Sequence, residues 1–190
     1  MKTLQNTLFA LVATAILAAS CGKADNRFST YTARFSYSPV NSVPNLYRAC
    51  TSMGEFCSIT YPPGNRYIIK SPSTPSAPDY IVRTAIQGYQ SFILGLGGGL
   101  IIGLPNMPEM LEQESHVTCY DLCCPNCYQS FNILKQLELH TDGTALCQSC
   151  NRTYDLNNQG IIARGEAGRS LFRYYVYYSA STQSLNVNNR

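Results

Sequence analysis

Hydrophobic and polar residues alternate along most of the chain in short runs that turn residues interrupt. The runs at 27–38, 55–61 and 66–71 mix aromatic or β-branched residues with polar ones, and proline follows each of them. This pattern is typical of strands in an antiparallel sheet with one buried face. No segment combines the length of a helix with a helical period of about 3.6 residues. The sequence therefore predicts an all-β fold.

Proline and glycine residues between the runs help to locate the strands and loops. The segment 71–80 contains three prolines and therefore cannot be a central strand. The apolar segment "FILGLGGGLIIGLP" (92–105) contains five glycines and is shorter than the roughly 20 residues of a spanning helix. It predicts two buried strands joined by a glycine turn. Asp142-Gly143 predicts a hairpin turn, and the polar residues 179–190 predict a flexible tail.

The aromatic run "LFRYYVYY" (171–178) predicts the last strand. Alternation separates a core-facing set of side chains from an outward-facing set. The core-facing set is Phe172, Tyr174, Val176 and Tyr178, and the outward-facing set is Arg173, Tyr175 and Tyr177. The outward set is explained by a half-exposed sheet face, with a ligand-binding surface as the alternative.

The first twenty residues predict a signal peptide, because Lys2 precedes an apolar run that ends in small residues. The ending "LAASC" resembles a bacterial lipobox. That resemblance implies cleavage before Cys21, acylation of Cys21 and a tether over 21–34. It also implies a lipid-anchored protein of the cell envelope that faces the periplasm or the exterior. An ordinary secretory signal and an uncleaved anchor helix are the alternatives.

Composition narrows the classes of function. Charged residues are 13% of the chain, the formal net charge is +3, and the positive charges form no stripe, so we expect no nucleic-acid partner. The chain has two histidines and neither a Gly-x-Ser-x-Gly nor a His-Glu-x-x-His motif. An electron carrier or binding module is therefore favoured over a catalyst.

Cysteine spacing supplies the candidate chemistry. Two Cys-x-x-Cys pairs are separated by 19 residues, and their members are Cys124, Cys127, Cys147 and Cys150. The two-residue spacer lets both thiolates of a pair approach one metal ion, so the pairs predict a tetrahedral four-sulfur site for zinc or iron. Disulfides are the alternative, because an oxidising compartment favours them.

The remaining cysteines are harder to place. Cys50 and Cys57 are distant from the pairs, and we predict a local disulfide between them. Cys123 adjoins Cys124, but only Cys124 has the two-residue spacing to Cys127, so it is the preferred ligand. A pairing of Cys119 with Cys123 stays open.

Residues 147–178 resemble the second cluster-binding box of Rieske-type iron–sulfur domains. That box runs Cys-Pro-x-His-Gly-Ser-x-Phe-Asp and precedes a glycine turn and a closing strand. Cys147 matches the cysteine, Cys150 stands where the histidine would be, and Tyr154-Asp155 matches the aromatic–Asp pair. The turn and strand matches are Gly160, Gly165, Leu171, Tyr174 and Val176. Upstream, "TCYDLCCPNC" (118–127) resembles the strand that leads into the first box.

The resemblance implies a Rieske-like antiparallel sandwich or barrel over 35–178, with a zinc-ribbon-like subdomain of two knuckles at 117–165. Cysteines replace both histidines, so the imidazole ligands that raise a Rieske potential are missing. Two functions are consistent with this pattern. One is a membrane-anchored [2Fe–2S] electron carrier with a redox partner. The other is a non-redox envelope lipoprotein that binds an envelope protein and whose cysteines hold structural Zn²⁺ or form disulfides.

Overall fold

The computed structural model describes residues 28–83, 92–107 and 116–189. The predicted signal peptide and Cys21 lie outside the described residues. None of the helices in the described ranges has the length and apolar character needed to cross a membrane. Strands make up 38% of the structure and helices 12%, which confirms the all-β prediction.

The elements follow one another along the described chain as short strands with two brief helices. The strands are β1 (Arg34–Tyr37), β2 (Phe56–Thr60), β3 (Arg66–Lys70), β4 (Asp79–Val82), β5 (Gly99–Gly103), β6 (Thr118–Asp121), β7 (Glu138–Leu139), β8 (Thr144–Leu146), β9 (Thr153–Asp155), β10 (Ile161–Arg164), β11 (Arg173–Ser179) and β12 (Ser184–Asn188). The helices are α1 (Pro44–Thr51) and α2 (Pro125–Phe131), and a 3-10 turn spans Val40–Ser42.

Two antiparallel sheets contain these strands. The large sheet has the order β1-β12-β11-β6-β5-β2-β3-β4 and curls into a half-barrel. The small sheet has the order β10-β9-β8-β7. It is formed by the segment between β6 and β11, which are themselves neighbours in the large sheet through the pairs Arg173–Tyr120 and Tyr174–Cys119.

The first core lies between one face of the large sheet and α1. Leu46 and Ala49 of α1 pack in the same cluster as Ile59, Leu100 and Ile102 of the sheet. Pro44 begins this helix, where its missing N–H removes no hydrogen bond. The helix has only eight residues, which is why the periodicity of the sequence did not reveal it.

The second core lies between the opposite face of the large sheet and the small sheet. Ile101 and Tyr120 pack there with Leu156, so β5 is buried on both of its faces. A Cβ atom at Gly103 would stand 2.0 Å from Cδ1 of Phe56. Glycine at this position therefore lets the Phe56 ring cross the backbone of β5.

Two predictions about the ends of strands need correction. Residues 184–188 are not a flexible tail but form β12, because Leu185 and Val187 are buried between β1 and β11. The second strand predicted in 92–105 is β5, and a turn at 95–98 precedes it as predicted. The first strand is reduced, within the described residues, to a bridge between Ile93 and Arg34.

Candidate metal centre

Two turns on neighbouring parts of the small-sheet segment carry the four paired cysteines. Cys124 immediately precedes α2 and Cys127 lies in its first turn, whereas Cys147 and Cys150 lie in the turn between β8 and β9. The four Sγ atoms all lie within 4.8 Å of one another. The Sγ atoms of Cys124 and Cys150 are 3.7 Å apart, and those of Cys127 and Cys147 are 3.6 Å apart. The structure thus brings together the four cysteines that the spacing selects.

Local sequence shapes both turns. Pro125 begins α2, and Asn132 ends the helix in the left-handed region at φ 53°. In the second turn the Asn151 N–H donates to the Cys147 carbonyl at 2.8 Å, and the Cys147 N–H donates to the Arg152 carbonyl at 2.9 Å. Asn151 has φ 56°, a conformation that asparagine tolerates better than most residues. These bonds close the second turn around the sulfur atoms.

The thiols of the cluster differ in acidity. Burial, together with hydrogen bonds from neighbouring thiols, raises the pKa of Cys127. Burial also raises the pKa of Cys147, although the backbone N–H groups of Cys150 and Ser149 partly offset it. At Cys150 burial acts in the same direction, but hydrogen bonds from Arg152 and from the thiols of Cys147 and Cys124 together outweigh it and lower the pKa to about 7. A metal ion that binds thiolates here must displace protons, so its affinity falls as pH falls.

Tyr154 and Asn126 lie beside the first Cys-x-x-Cys pair, Cys124 and Cys127, which we call the first knuckle. The Tyr154 hydroxyl is fully buried and lies 3.1 Å from the Sγ atom of Cys124. The Asn126 side-chain amide donates to that hydroxyl at 2.9 Å and to the Arg169 carbonyl at 2.8 Å, and its oxygen accepts the Arg169 N–H at 2.9 Å. The resemblance marks Tyr154, but neither its contact with a sulfur atom nor the role of Asn126 follows from spacing.

Asp121 fixes the strand that leads into the knuckle. Its carboxylate accepts the N–H groups of Leu96, Gly97 and Cys123 at 2.6, 3.2 and 2.8 Å. It also accepts the Tyr174 hydroxyl at 2.7 Å. Burial raises the pKa of Asp121, although these four hydrogen bonds act in the opposite direction. The buried carboxylate thereby ties the glycine turn to the residue before the first ligand.

The spacing of the sulfur atoms fits a single ion. Ligands at the corners of a regular tetrahedron around zinc, at about 2.3 Å from the metal, stand about 3.8 Å apart. The Cys127–Cys147 and Cys124–Cys150 separations of 3.6 and 3.7 Å match this edge. In a [2Fe–2S] site each iron has its own pair of protein ligands, so the two pairs stand on opposite sides of the cluster core. Sulfur atoms bonded to each other would be about 2.05 Å apart.

The other cysteines lie outside the cluster. Cys123 is buried, and its backbone forms an isolated β-bridge with Gln136. The cysteine cluster therefore contains Cys124 rather than Cys123. Cys50 and Cys57 are free thiols in the first core, and the disulfide predicted between them is not formed. Burial raises the pKa of Cys50 to about 12 and raises the pKa of Cys57 well above its usual value, which suppresses the thiolate that disulfide formation requires. Cys119 is also a free thiol in this core.

Neither histidine joins the cysteine cluster. His116 is exposed and His140 is half-buried after β7.

Comparison with protein-family models and with curated proteins found no match to this sequence. The structure shows a mostly β protein that holds four cysteines in an arrangement that could bind a metal ion.

Proposed function

We propose that the protein is an envelope lipoprotein, anchored through acylated Cys21, whose four paired cysteines hold one structural zinc ion in a non-redox binding module. The assignment of a metal ion to these cysteines rests on the distances among the four Sγ atoms, which all lie within 4.8 Å of one another. A closed set of four thiolates leaves no open position for a substrate, which is typical of structural rather than catalytic zinc.

A zinc ion at this position would join the start of α2 to the turn between β8 and β9. Cys124 and Cys127 belong to the segment before the small sheet, and Cys147 and Cys150 to its β8–β9 turn. β7 has only two residues and β8 and β9 have three each, so the small sheet is poor in hydrogen bonds. Structural zinc contributes folding free energy on the order of 10 kcal/mol in small metal-binding domains. This contribution would hold the small sheet against the large one.

A groove beside the small sheet supports a binding role. It has a volume of about 590 Å³ and lies between β2, the proline-containing loop at 71–80 and the residues around β7. Its lining combines Tyr61 and prolines with Lys70 and Glu138, so it offers both apolar contact and charge of either sign. This mixture suits a segment of an envelope protein better than a small apolar ligand.

A redox function is the second candidate, and one contact favours it. The Tyr154 hydroxyl lies 3.1 Å from a ligand sulfur atom, and hydrogen bonds to ligating sulfur atoms tune the potential of iron sites. Four thiolates could hold a single iron ion in the same tetrahedron. The resemblance to the Rieske box would then extend from sequence to electron transfer, with a [2Fe–2S] cluster if the two cysteine pairs separate.

Metal analysis separates these functions. We expect the protein purified without air to contain one zinc per chain and no visible absorption. Stoichiometric iron with a visible spectrum and a reversible reduction would overturn the zinc proposal in favour of electron transfer. Chains without metal whose cysteines resist alkylation would indicate disulfides.

Paired variants test the ligand assignment. Cys124→Ser removes a ligand and should abolish stoichiometric zinc. Cys123→Ser changes the adjacent cysteine, which is equally buried but lies outside the cluster, and should retain one zinc per chain. Zinc loss in Cys123→Ser but not in Cys124→Ser would show that the register is wrong.

The lipid anchor has its own test. The intact mass of the mature protein from bacterial membranes should equal that of residues 21–190 plus acyl chains. Cys21→Ser should abolish the acyl mass and release the protein from the membrane fraction. An unmodified chain that begins at another residue would overturn the anchor.

A further inference from the structure

A patch of amphipathic and polar side chains covers the outward face of three strands at one end of the large sheet. Tyr175 and Tyr177 of β11 expose 48% and 46% of their surface. The strand register places Asn188 and Asn186 of β12 opposite them. β1 continues the row with Arg34 and Ser36. We call this patch the tyrosine face; its members are Arg34, Ser36, Tyr175, Tyr177, Asn186 and Asn188.

The tyrosine face is a part of this sheet surface that the small sheet leaves uncovered. Next to it, Tyr120 of β6 is fully buried in the second core, under the small sheet. Beyond β6, towards the end of the large sheet formed by β1, Tyr175 and Tyr177 of β11 and Asn186 and Asn188 of β12 are exposed. Alternate residues Tyr174 and Val176 point the other way into the first core. The aromatic side chains outside are therefore not required for packing of either core.

The chain enters the described structure at this face. The Phe28 ring stacks on the Tyr175 ring, with centroids 3.7 Å apart and planes 13° from parallel. The following Ser29 N–H donates to the Arg173 carbonyl at 2.7 Å. These contacts fix the first described residues against the edge of the tyrosine face.

The short connection to Cys21 limits where this face can be. Cys21 precedes Phe28 by seven positions, which span at most about 25 Å when fully extended. A domain of this length has a diameter on the order of 40 Å. An acyl anchor at Cys21 therefore holds the side of the domain around Phe28 close to the bilayer.

We propose that the tyrosine face rests on the phospholipid headgroup layer and orients the protein on the membrane; this rests on the acylated Cys21 of the proposed function. Tyrosine is enriched at the level of the headgroups because its ring is apolar and its hydroxyl is polar. β1, β11 and β12 contain no Asp or Glu, so these strands bring no acidic side chain that an anionic phospholipid would repel. The small sheet packs on the same side of the large sheet, so this orientation puts the metal centre on the membrane-proximal side.

Tryptophan fluorescence can test the orientation, because the chain contains no tryptophan. Tyr177→Trp places a single reporter on the tyrosine face, away from the Phe28 stack. Tyr80→Trp on β4 is the matched control, since Tyr80 and Tyr177 each expose 46% of their surface. Each full-length variant is processed in bacteria, purified and reconstituted into vesicles of phosphatidylethanolamine and phosphatidylglycerol, with and without brominated acyl chains. Flotation of the vesicles measures anchoring separately.

We expect both variants to float with the vesicles. Tyr177→Trp should show emission at shorter wavelength and quenching by brominated lipid several-fold stronger than Tyr80→Trp. Equal quenching with intact flotation overturns the orientation and leaves the anchor standing. Failure of both variants to float overturns the anchor and the orientation with it. A shift of Tyr177→Trp emission that depends on protein concentration without vesicles assigns the face to a second copy of the chain and also overturns the proposal.

Discussion

The buried carboxylate of Asp121 gives a sharp test of how the first metal knuckle is held. Asp121→Asn keeps the shape of the side chain but replaces one carboxylate oxygen with an NH₂ group. In the native protein each oxygen accepts two hydrogen bonds: Oδ1 from the N–H groups of Gly97 and Cys123, and Oδ2 from the Leu96 N–H and the Tyr174 hydroxyl. No orientation of asparagine satisfies all four donors.

The magnitude follows from this count. With the amide oxygen at the Oδ1 position, the NH₂ group faces the Leu96 N–H, while the Tyr174 hydroxyl can turn to accept a hydrogen bond. The variant thus loses a hydrogen bond to a charged acceptor, which contributes about 1.5–3 kcal/mol, and leaves a buried N–H without a partner at a cost of about 1–3 kcal/mol. Relief from burying a charge offsets part of this sum. We expect a loss of about 2–4 kcal/mol in the free energy of unfolding.

Urea unfolding at saturating metal, followed by circular dichroism, measures the loss. Asp142→Asn is the control, because Asp142 also accepts a backbone N–H but is exposed; it should cost less than about 1 kcal/mol. Tyr174→Phe should cost about 1–2 kcal/mol in the wild type and clearly less in the Asp121→Asn background. A change below about 0.5 kcal/mol in Asp121→Asn, at an unchanged denaturant slope, would refute the reasoning.

The pH dependence has a defined sign. Burial raises the folded-state pKa of Asp121 above its ordinary value. The folded protein therefore binds this proton more tightly than the unfolded chain. The resulting stabilisation is complete below the unfolded pKa and is lost as pH rises through the folded pKa. Asparagine does not titrate, so the difference in stability between wild type and Asp121→Asn should narrow as pH rises, and widening would contradict the raised pKa.

Three further predictions concern the metal centre and its surroundings. Tyr154→Phe removes the hydroxyl beside the Cys124 sulfur and should weaken zinc binding about 10- to 100-fold in a chelator competition, as loss of an outer-shell partner does; unchanged affinity would show that the contact does not act on the metal. Gly103→Ala forces a Cβ atom into the Phe56 ring and should destabilise by about 1–3 kcal/mol, a loss that a second change, Phe56→Leu, should partly restore. Chelation should release hydrogen-exchange protection in β7–β10 before β11 and β12, and simultaneous release would mean that the two sheets unfold as one unit.

The sequence predicted strands well where alternation or a continuous apolar run was strong. β2, β3 and β5 lie within their predicted runs, because prolines and glycines delimit each of them. α1 was missed, since a helix of eight residues shows its buried face only at Leu46, Ala49 and Cys50. β12 was missed because two apolar residues among polar ones carry too weak a signal until β1 and β11 flank them.

Some residues of the candidate site could be predicted from the sequence and others could not. The spacing of the paired cysteines selected the four sulfur atoms, because two residues between ligands is a local constraint that the chain itself imposes. Asp121 and Asn126 could not be found from spacing, since all their partners except Cys123 lie 24 to 53 residues away along the chain. The prediction for Cys50 and Cys57 was wrong because it followed from short separation alone, and both side chains serve the core instead.

Because the small sheet is inserted between β6 and β11, loss of the metal ion that holds it would promote aggregation of the protein. The large sheet needs only the pairing of β6 with β11 to keep its ladder, so it can persist if the small sheet unfolds. Its outer surface would then present Phe56, Ile101 and Tyr120 as a contiguous apolar patch. Such patches drive aggregation. Under the proposed function, scarcity of metal would therefore appear first as clustering of the protein on the membrane, before the strands of the large sheet are lost.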